Sequence, residues 1–272
     1  MNEKTLYVSD LDGTLLNSNQ RMSEYSIRTI NALVEQGMLF SNATARSFVT
    51  AGKITEGISP KIPVIVYNGA FILRNNGQER ILSNYFVGDT AAYVLEVLCR
   101  HNVFPIVYSY LDGVEKYSYS PSHVSSGMAE FLESRAGDIR EHPTQLQQLG
   151  EGEIFYFTCI DRSEKLLPLY ALLKNDFQCV YQKDIYSGEQ WLEIMPQKAT
   201  KANAALQLKQ WLGCSRIICF GDGKNDISMF QIADECYAVE NADNELKALA
   251  TGVIASNNAD GVANWLRRHY AG

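Results

Sequence analysis

The feature that most constrains the fold is an alternation of apolar strands and amphipathic helices that occurs at both ends of the chain. Near the N-terminus, the apolar run Leu6–Val8 precedes a helix predicted between Ser23 and Gly37, and a second strand, Met38–Phe40, follows. Strand, helix and strand in this order are typical of right-handed βαβ units and a parallel sheet. The pattern returns from about residue 197, where a helix precedes the strand Arg216–Phe220. The sequence therefore predicts one α/β core assembled from both ends of the chain.

The middle of the chain has a different pattern, in which hairpin turns are mixed with helices. Asp112-Gly113 and Asn75-Asn76-Gly77 each separate two apolar stretches, and both are typical hairpin turns. This mixture favours an α+β module with a largely antiparallel sheet. We therefore predict the fold class α/β, with a Rossmann-like parallel-sheet core and an inserted α+β domain. The predicted bounds are 1–80 and 191–272 for the core and 81–190 for the insertion.

Composition and charge exclude several classes of protein. Hydrophobic residues make up 46% of the 272 residues and charged residues 20%, so a disordered chain has little support. The net charge of −7 argues against a nucleic acid as the main partner, because proteins that bind nucleic acids usually carry a basic face. The first ten residues lack the pattern of a secretory leader, and no apolar run reaches the ~20 residues of a membrane span. We expect a cytoplasmic protein that binds neither nucleic acid nor membrane and is a monomer or a small homo-oligomer.

Polar side chains follow several strands of the predicted core, where open parallel sheets bind their ligands. Asp10 and Asp12 come directly after the first strand; an Asp-x-Asp-Gly sequence by itself also fits a plain turn. Mg²⁺ prefers carboxylate, water and phosphate oxygens, and hydroxyl and ammonium groups can donate to phosphate oxygens. The whole set therefore predicts Mg²⁺-assisted phosphoryl transfer. Its members are Asp10, Asp12, Thr44, Lys201, Asp222, Asn225 and Asp226.

These residues resemble the motifs of the haloacid dehalogenase-like hydrolase superfamily, in particular its Cof-type phosphatases with a large α/β cap. The resemblance implies that the insertion at 81–190 is the cap domain. Ala45 and Ala202 stand where the family often has Gly, and we expect both to be tolerated because Ala keeps its backbone N–H. Lys198 is a rival for the third motif, but Thr200-Lys201 fits it better. The matching segments are DLDGTLL (10–16), ATAR (43–46), Lys201, GDGKNDISMF (221–230), Asn68-Gly69, Glu240-Asn241-Ala242 and NADGVA (258–263).

The resemblance also implies a role for each residue. It implies that Asp10 is the nucleophile, which becomes a transient aspartyl phosphate, and that Asp12 is the general acid and base. The implied Mg²⁺ ligands are Asp10, the backbone carbonyl of Asp12, Asp222 and, close by, Asp226. The implied phosphate-binding residues are Thr44, Lys201 and Asn225. The expected function is hydrolysis of small phosphorylated metabolites, such as sugar phosphates.

Other functions stay open at this level. A phosphomutase of the same superfamily would have the same core motifs. A non-enzymatic phospho-switch would need no cap, and an acid and base at Asp12 would speed the loss of its phosphoryl group. A metabolite-binding protein without activity is disfavoured because no catalytic position is missing. Arg46 is ambiguous, since it either faces the site or is solvated at the start of a helix. No motif between residues 80 and 190 identifies a substrate.

Overall fold

The chain forms two units, and the second is inserted into the first between Ser83 and Ala199. The structure, a computed structural model, describes residues 4–74, 79–183 and 189–270. Unit 1 comprises Met1–Ser83 and Ala199–Gly272, and unit 2 comprises Asn84–Lys198. The predicted turn at Asn75-Asn76-Gly77 lies outside the described residues. Within the three described ranges, no helix is long and apolar enough to cross a membrane.

The described residues form strands and longer helices with the following bounds. The strands are β1 (Thr5–Asp10), β2 (Leu39–Ala43), β3 (Pro63–Val66), β4 (Phe71–Arg74), β5 (Arg80–Ser83), β6 (Ile106–Leu111), β7 (Val114–Tyr119), β8 (Glu141–Pro143), β9 (Glu153–Asp161), β10 (Gln178–Lys183), β11 (Gln190–Met195), β12 (Arg216–Gly221), β13 (Glu235–Val239) and β14 (Gly252–Ile254). The helices are α1 (Glu24–Glu35), α2 (Phe48–Ile54), α3 (Thr90–Arg100), α4 (Ser126–Glu133), α5 (Ser163–Leu173), α6 (Lys201–Leu212), α7 (Ile227–Ile232), α8 (Asn244–Leu249) and α9 (Gly261–His269).

An eight-stranded sheet with the order β14-β13-β12-β1-β2-β3-β4-β5 lies at the centre of unit 1. Its strands run parallel from β14 to β3, and β4 and β5 then add as an antiparallel pair at one edge. The strand β1 therefore lies between β12 and β2, and all three end at the same edge. In the register of these strands, Ser9 is opposite Phe220 and Asp10 is opposite Ala43.

The helix α1 begins and ends where the sequence predicts, and α6 has the same kind of cap and stop. The side chain of Ser23 accepts a hydrogen bond from the N–H of Ser26 and caps α1, and Gly37 follows the helix with φ +101°. Thr200 caps α6 in the same way, and Gly213 ends that helix in the left-handed conformation. Apolar side chains of these helices pack on the sheet in one continuous core. The predicted parallel-sheet α/β core is confirmed.

Unit 2 contains a six-stranded sheet with the order β10-β11-β9-β6-β7-β8, in which every pair is antiparallel except β7 and β8. The predicted hairpin is present, since Asp112 and Gly113 join β6 to β7 with φ of +51° and +78°. Apolar residues of α3 and α5 form the core of this unit with the sheet, so an α+β insertion is confirmed. Because β11 pairs with β9 and β10, residues 191–198 lie in unit 2, whereas the predicted core resumes at residue 191.

Candidate active site

Three carboxylates meet at the edge of unit 1 where β1 and β12 end. Asp10 is the last residue of β1, and Asp222 and Asp226 belong to the turn that follows β12. Each offers one oxygen that lies within 4.8 Å of the other two. Asp10 and Asp226 are buried, and Asp222 is partly buried. The parallel pairing of β1 with β12 produces this cluster, because it brings residues more than 200 positions apart to one edge.

Two glycines allow the carboxylates to approach this closely. Gly13 has φ +74°, and a Cβ added there would lie 2.1 Å from Oδ2 of Asp222. A Cβ added at Gly221 would lie 2.8 Å from Oδ2 of Asp226. Thr14, the residue after Gly13, donates a hydrogen bond from Oγ1 to Oδ1 of Asp222 at 3.1 Å. The Gly-Thr pair of the first motif therefore makes room for Asp222 and also orients it.

Lys201 bridges two of the carboxylates from the start of α6. Its Nζ donates to Oδ1 of Asp10 and, at 2.8 Å, to Oδ1 of Asp226. Oδ2 of Asp226 accepts the backbone N–H groups of Asp222 and Gly223 at 3.1 and 3.2 Å. Both oxygens of Asp226 are thus occupied, and its carboxylate ties the turn after β12 to Lys201.

The buried charged groups of the site shift one another's pKa values. Burial and the neighbouring Asp226 raise the pKa of Asp10 well above its usual value, against the opposing effect of Lys201. Burial and Asp226 also raise the pKa of Asp222 to about 6. Burial alone would lower the pKa of Lys201, but Asp10 and Asp226 raise it above its usual value. These shifts indicate an excess of negative charge in a poorly solvated site.

The donor set fits a divalent cation. Three carboxylates and one ammonium group give a net charge of −2 when all are ionised, which one divalent cation balances. All three carboxylates are oxygen donors, which Mg²⁺ prefers over nitrogen and sulfur. The residues that could hold the metal are therefore Asp10, Asp222 and Asp226.

A turn of three residues with positive φ fixes the start of α6. Tyr67, Asn68 and Gly69 follow β3 with φ of +50°, +54° and +104°. A Cβ added at Gly69 would lie 2.3 Å from the carbonyl oxygen of Thr200, the residue before Lys201. Asn68-Gly69 belongs to the family resemblance of the sequence, and Gly69 lets this turn contact the cap of α6.

Thr44 lies at the same edge, directly after β2. It is buried, its N–H donates to the carbonyl of Ile65, and its carbonyl accepts the N–H of Asn68 at 3.0 Å. Its Oγ1 accepts the N–H of Arg46 at 3.1 Å. Ala45 is exposed and has negative φ, so this position does not require the glycine that the family often has.

The side chains of Asp12 and Asn225 lie outside the carboxylate cluster. Asp12 pairs with Arg46 instead, with Nη2 donating to Oδ1 at 2.6 Å and Nε donating to Oδ2 at 3.0 Å. Asn225 is exposed in the turn after β12, and a Cβ added at Gly223 would lie 2.7 Å from its Oδ1. Of the predicted side chains, the structure thus clusters Asp10, Asp222 and Asp226 with Lys201.

Asn241 supports the site, a role that its sequence context alone does not predict. Its Nδ2 donates to the carbonyl of Gly13 at 2.8 Å, and its Oδ1 accepts the N–H of Asn257 at 3.0 Å. Nδ2 of Asn257 in turn donates to the carbonyl of Leu16 at 2.9 Å. The two asparagines therefore hold the loop that carries Asp12 and Gly13. The Glu240-Asn241-Ala242 resemblance was the one sequence feature that pointed to this contact.

Comparison with known proteins agrees with this geometry. A sequence model described as haloacid dehalogenase-like hydrolase matches residues 7–266. The chain is 24% identical to the 5-amino-6-(5-phospho-D-ribitylamino)uracil phosphatase YitU of Bacillus subtilis, over 98% of this chain and 97% of that protein. It is also 24% identical to the pyridoxal phosphate phosphatase YbhA of Escherichia coli, over 96% of each chain. A crystal structure of a Thermotoga maritima protein superposes with a TM-score of 0.78 at 26% identity, over 100% of this chain and 99% of the other.

The family model and the phosphatases among its relatives, together with the α/β core and its carboxylate cluster, identify the chain as a hydrolase of phosphate monoesters. The chain belongs to the haloacid dehalogenase-like hydrolase family, whose sequence model covers nearly its whole length.

Proposed function

We propose that this protein is a Mg²⁺-dependent phosphatase of small phosphorylated metabolites that works through an aspartyl phosphate on Asp10. The observation that carries the proposal is the cluster of Asp10, Asp222 and Asp226 around the ammonium group of Lys201. A net charge of −2 at the end of a parallel strand suits a divalent cation, and the ends of parallel strands are where such sheets bind their ligands.

Asp10, Asp222 and Asp226 would hold the metal, together with the backbone carbonyl of Asp12. When bound, Mg²⁺ would supply positive charge that offsets the negative charge of the phosphate and of the nucleophile. The raised pKa values of Asp10 and Asp222 support this assignment, because a cation in the cluster would restore the ionised form of both carboxylates.

Asp10 is the proposed nucleophile. A carboxylate oxygen of Asp10 forms a bond to phosphorus while the bond from phosphorus to the leaving oxygen breaks. Lys201 donates to Oδ1 of Asp10, which fixes the carboxylate and balances its charge. In the second step, a water oxygen attacks the phosphorus of the aspartyl phosphate and the carboxylate is released. Splitting the reaction at a covalent intermediate replaces one difficult displacement by two easier ones.

Asp12 is the proposed general acid and base. It gives a proton to the leaving alkoxide in the first step and takes a proton from the attacking water in the second step. Its exposed, extended position after Asp10 leaves the carboxylate accessible to a substrate. Thr44, Lys201 and Asn225 are proposed to donate hydrogen bonds to the phosphate oxygens.

The proposed substrates are small phosphate monoesters. Two relatives that align over nearly their full length are named as phosphatases of a phosphoribitylamino uracil and of pyridoxal phosphate. Both named substrates join one phosphate to a small polar molecule. We extend this class to the present chain, with sugar phosphates as further members.

Phosphate release from purified protein tests the proposal. The panel contains p-nitrophenyl phosphate, sugar phosphates and pyridoxal phosphate, each with Mg²⁺ and with EDTA. We expect turnover only with Mg²⁺, and none for Asp10→Asn, because an amide is a poor nucleophile. Asp112→Asn is the matched control, since Asn also suits the positive φ of that turn in unit 2. Full activity in EDTA or in Asp10→Asn would refute the mechanism, and a requirement for a bisphosphate activator would indicate a phosphomutase.

A further inference from the structure

Arg46 and Asp12 form a two-point ion pair. Nη2 of Arg46 donates to Oδ1 of Asp12 at 2.6 Å, and Nε donates to both carboxylate oxygens, at 3.2 and 3.0 Å. Nη2 also donates to Oε1 of Gln20 at 3.2 Å. The planar guanidinium group thus faces the carboxylate edge to edge, a geometry that fixes the orientation of the carboxylate as well as its position.

The backbone of Arg46 is held on both sides. Its N–H donates to Oγ1 of Thr44 at 3.1 Å, and its carbonyl accepts the N–H of Tyr67 at 3.0 Å. The next residue, Ser47, caps α2. The guanidinium group therefore extends from a fixed point at the end of β2, whereas Asp12 lies in a loop with extended backbone dihedral angles (φ −73°, ψ 124°).

From this geometry we propose that Arg46 is a positioning residue that holds the carboxylate of Asp12 for proton transfer to and from the substrate. The proposal rests on the proposed function, because it concerns the general acid and base of that reaction. The side chain of Asp12 is 47% exposed, and an unpaired aspartate of that exposure samples several rotamers, whereas a carboxylate held at two points samples far fewer. Arg46 does not touch the reacting atoms in this role and acts through Asp12.

A purely structural role fits the observations less well. The side chains of Arg46 and Asp12 are 24% and 47% exposed, and ion pairs of this exposure stabilise proteins by only about 0–1 kcal/mol. Direct binding of the substrate phosphate is the other alternative. Positioning and phosphate binding differ in one respect: a residue that positions Asp12 affects turnover only while Asp12 is present, whereas a phosphate-binding residue affects it in either case.

A double-mutant cycle uses this difference. Arg46→Ala, Asp12→Ala and the double variant are assayed in the full chain, with an alkyl phosphate and with p-nitrophenyl phosphate. Misplacing a catalytic group by about 1 Å can cost ~10²-fold, so we expect Arg46→Ala to lower kcat for the alkyl phosphate by about 10- to 100-fold at nearly unchanged KM. The loss is smaller with p-nitrophenyl phosphate, because its leaving group needs little protonation. In the Asp12→Ala background, Arg46→Ala has no further effect.

Two further variants complete the test. Arg46→Lys keeps the charge but loses the planar two-point contact, so we expect kcat between the wild-type and Arg46→Ala values. Arg216→Ala is the matched control: Arg216 pairs with Glu235 at the start of β12 with side-chain exposures of 35% and 31%, and its loss should leave kcat unchanged. Thermal unfolding of every variant verifies that the fold is retained.

The proposal is overturned if Arg46→Ala retains wild-type kcat with both substrates. It is also overturned if the loss is equally large in the Asp12→Ala background, or appears in KM alone, since both results indicate direct contact with the substrate. Failure of the proposed function looks different: wild-type protein releases no phosphate with Mg²⁺, or Asp10→Asn retains full activity.

Discussion

The charged side chains of the site stabilise one another, because burying any one of these charges without a partner of opposite charge would cost free energy. The side chain of Lys201 is 2% exposed and that of Asp226 is fully buried, so removing one partner leaves an uncompensated charge. Asp10→Asn is milder in this respect, since Asp226 still pairs with Lys201. A loss of activity in a variant of Asp10 is therefore less affected by a loss of folding stability than the same loss in a variant of Lys201.

Asp12→Ala is predicted to accumulate the aspartyl phosphate with p-nitrophenyl phosphate as substrate. The first step proceeds because the leaving group needs little protonation, whereas hydrolysis of the intermediate still needs a base. Rapid quench should show label on the protein that is stable in acid and released by hydroxylamine. Asp10→Asn provides the control, with no labelled protein. The absence of label in Asp12→Ala with every substrate would remove Asp12 from the role of acid and base.

Gly13→Ala is predicted to weaken Mg²⁺ binding, because the new Cβ would lie 2.1 Å from Oδ2 of Asp222 and displace that carboxylate. Gly113→Ala is a matched control with nearly the same backbone strain: its φ is +78° against +74° for Gly13, and no atom lies within 4 Å of its added Cβ. Both variants should lose similar stability, because Ala is strained at positive φ. Isothermal titration calorimetry should show a loss of metal affinity only for Gly13→Ala. Equal affinities in the two variants would contradict the steric argument.

The sequence was sufficient to predict four of the side chains that meet at the site, but not how the side chains of Asp12 and Asn225 are directed. Asp10, Asp222, Asp226 and Lys201 could be identified because each lies next to the end of a predicted strand or the start of a predicted helix. The pairing of Asp12 with Arg46 could not be predicted, because it depends on a contact between the first loop and the end of β2. No local propensity encodes such a contact.

The ends of elements position the site in unit 1. The strand β1 is flanked by β2 and β12, so their loops are brought together by parallel pairing rather than by sequence proximity. The helix α6 is placed by its Thr200 cap and by the close approach of Gly69. Capping residues and glycine stops can be identified in the sequence, which is why the bounds of α1 were predicted accurately. The approach of Gly69 to Thr200 is a tertiary contact, so it could not be predicted from the sequence.

The strand β11 of unit 2 carries a carboxyl group with an unusual protonation equilibrium. Burial raises the pKa of Glu193 from 4.5 to about 7, and a hydrogen bond with Tyr156 opposes the shift. The folded protein therefore binds this proton more tightly than the unfolded chain does. The contribution of Glu193 to stability rises as the pH falls from about 7 towards 4.5 and is lost as the pH rises through about 7.

Glu193→Gln is predicted to raise the melting temperature of unit 2 at pH 8, because an uncharged amide avoids burying a negative charge. The difference from wild type should shrink as the pH is lowered to 5, where Glu193 is itself protonated. Calorimetric scans across this pH range measure the effect. Glu151→Gln, at an exposed position of the same unit, is the control and should give no pH-dependent difference. A constant difference at all pH values would contradict the assigned shift.

For the whole molecule, the sequence predicted an interrupted α/β core because the strand–helix pattern stops and then returns. The core is predicted to resume at residue 191, whereas unit 1 resumes at Ala199. The strand β11 decides this boundary, because its partners β9 and β10 both lie in the insertion. The pattern of apolar and polar residues in β11 is compatible with either sheet, so only its pairing partners show that the strand belongs to unit 2.

Mg²⁺ is predicted to stabilise the folded protein, because the cluster of Asp10, Asp222, Asp226 and Lys201 exists only after both ends of the chain have come together. A ligand that binds only the folded state adds RT ln(1 + [L]/Kd), which is about 2.7 kcal/mol at 100 times Kd. For a chain of this size, the melting temperature should rise by about 5–10 °C. Differential scanning calorimetry with Mg²⁺ and with EDTA measures the shift.

The control for this prediction is a variant in which the cluster keeps its shape but loses one charge. Asp222→Asn retains an oxygen that can accept the hydrogen bond from Thr14, and it reduces the net negative charge of the cluster from −2 to −1. We therefore expect the Mg²⁺ shift to shrink strongly in Asp222→Asn and to persist in Asp112→Asn, whose carboxylate lies in a turn of unit 2. An equal shift in both variants would mean that Mg²⁺ stabilises the protein from another place, and the carboxylate cluster would then lose its assignment as the metal site.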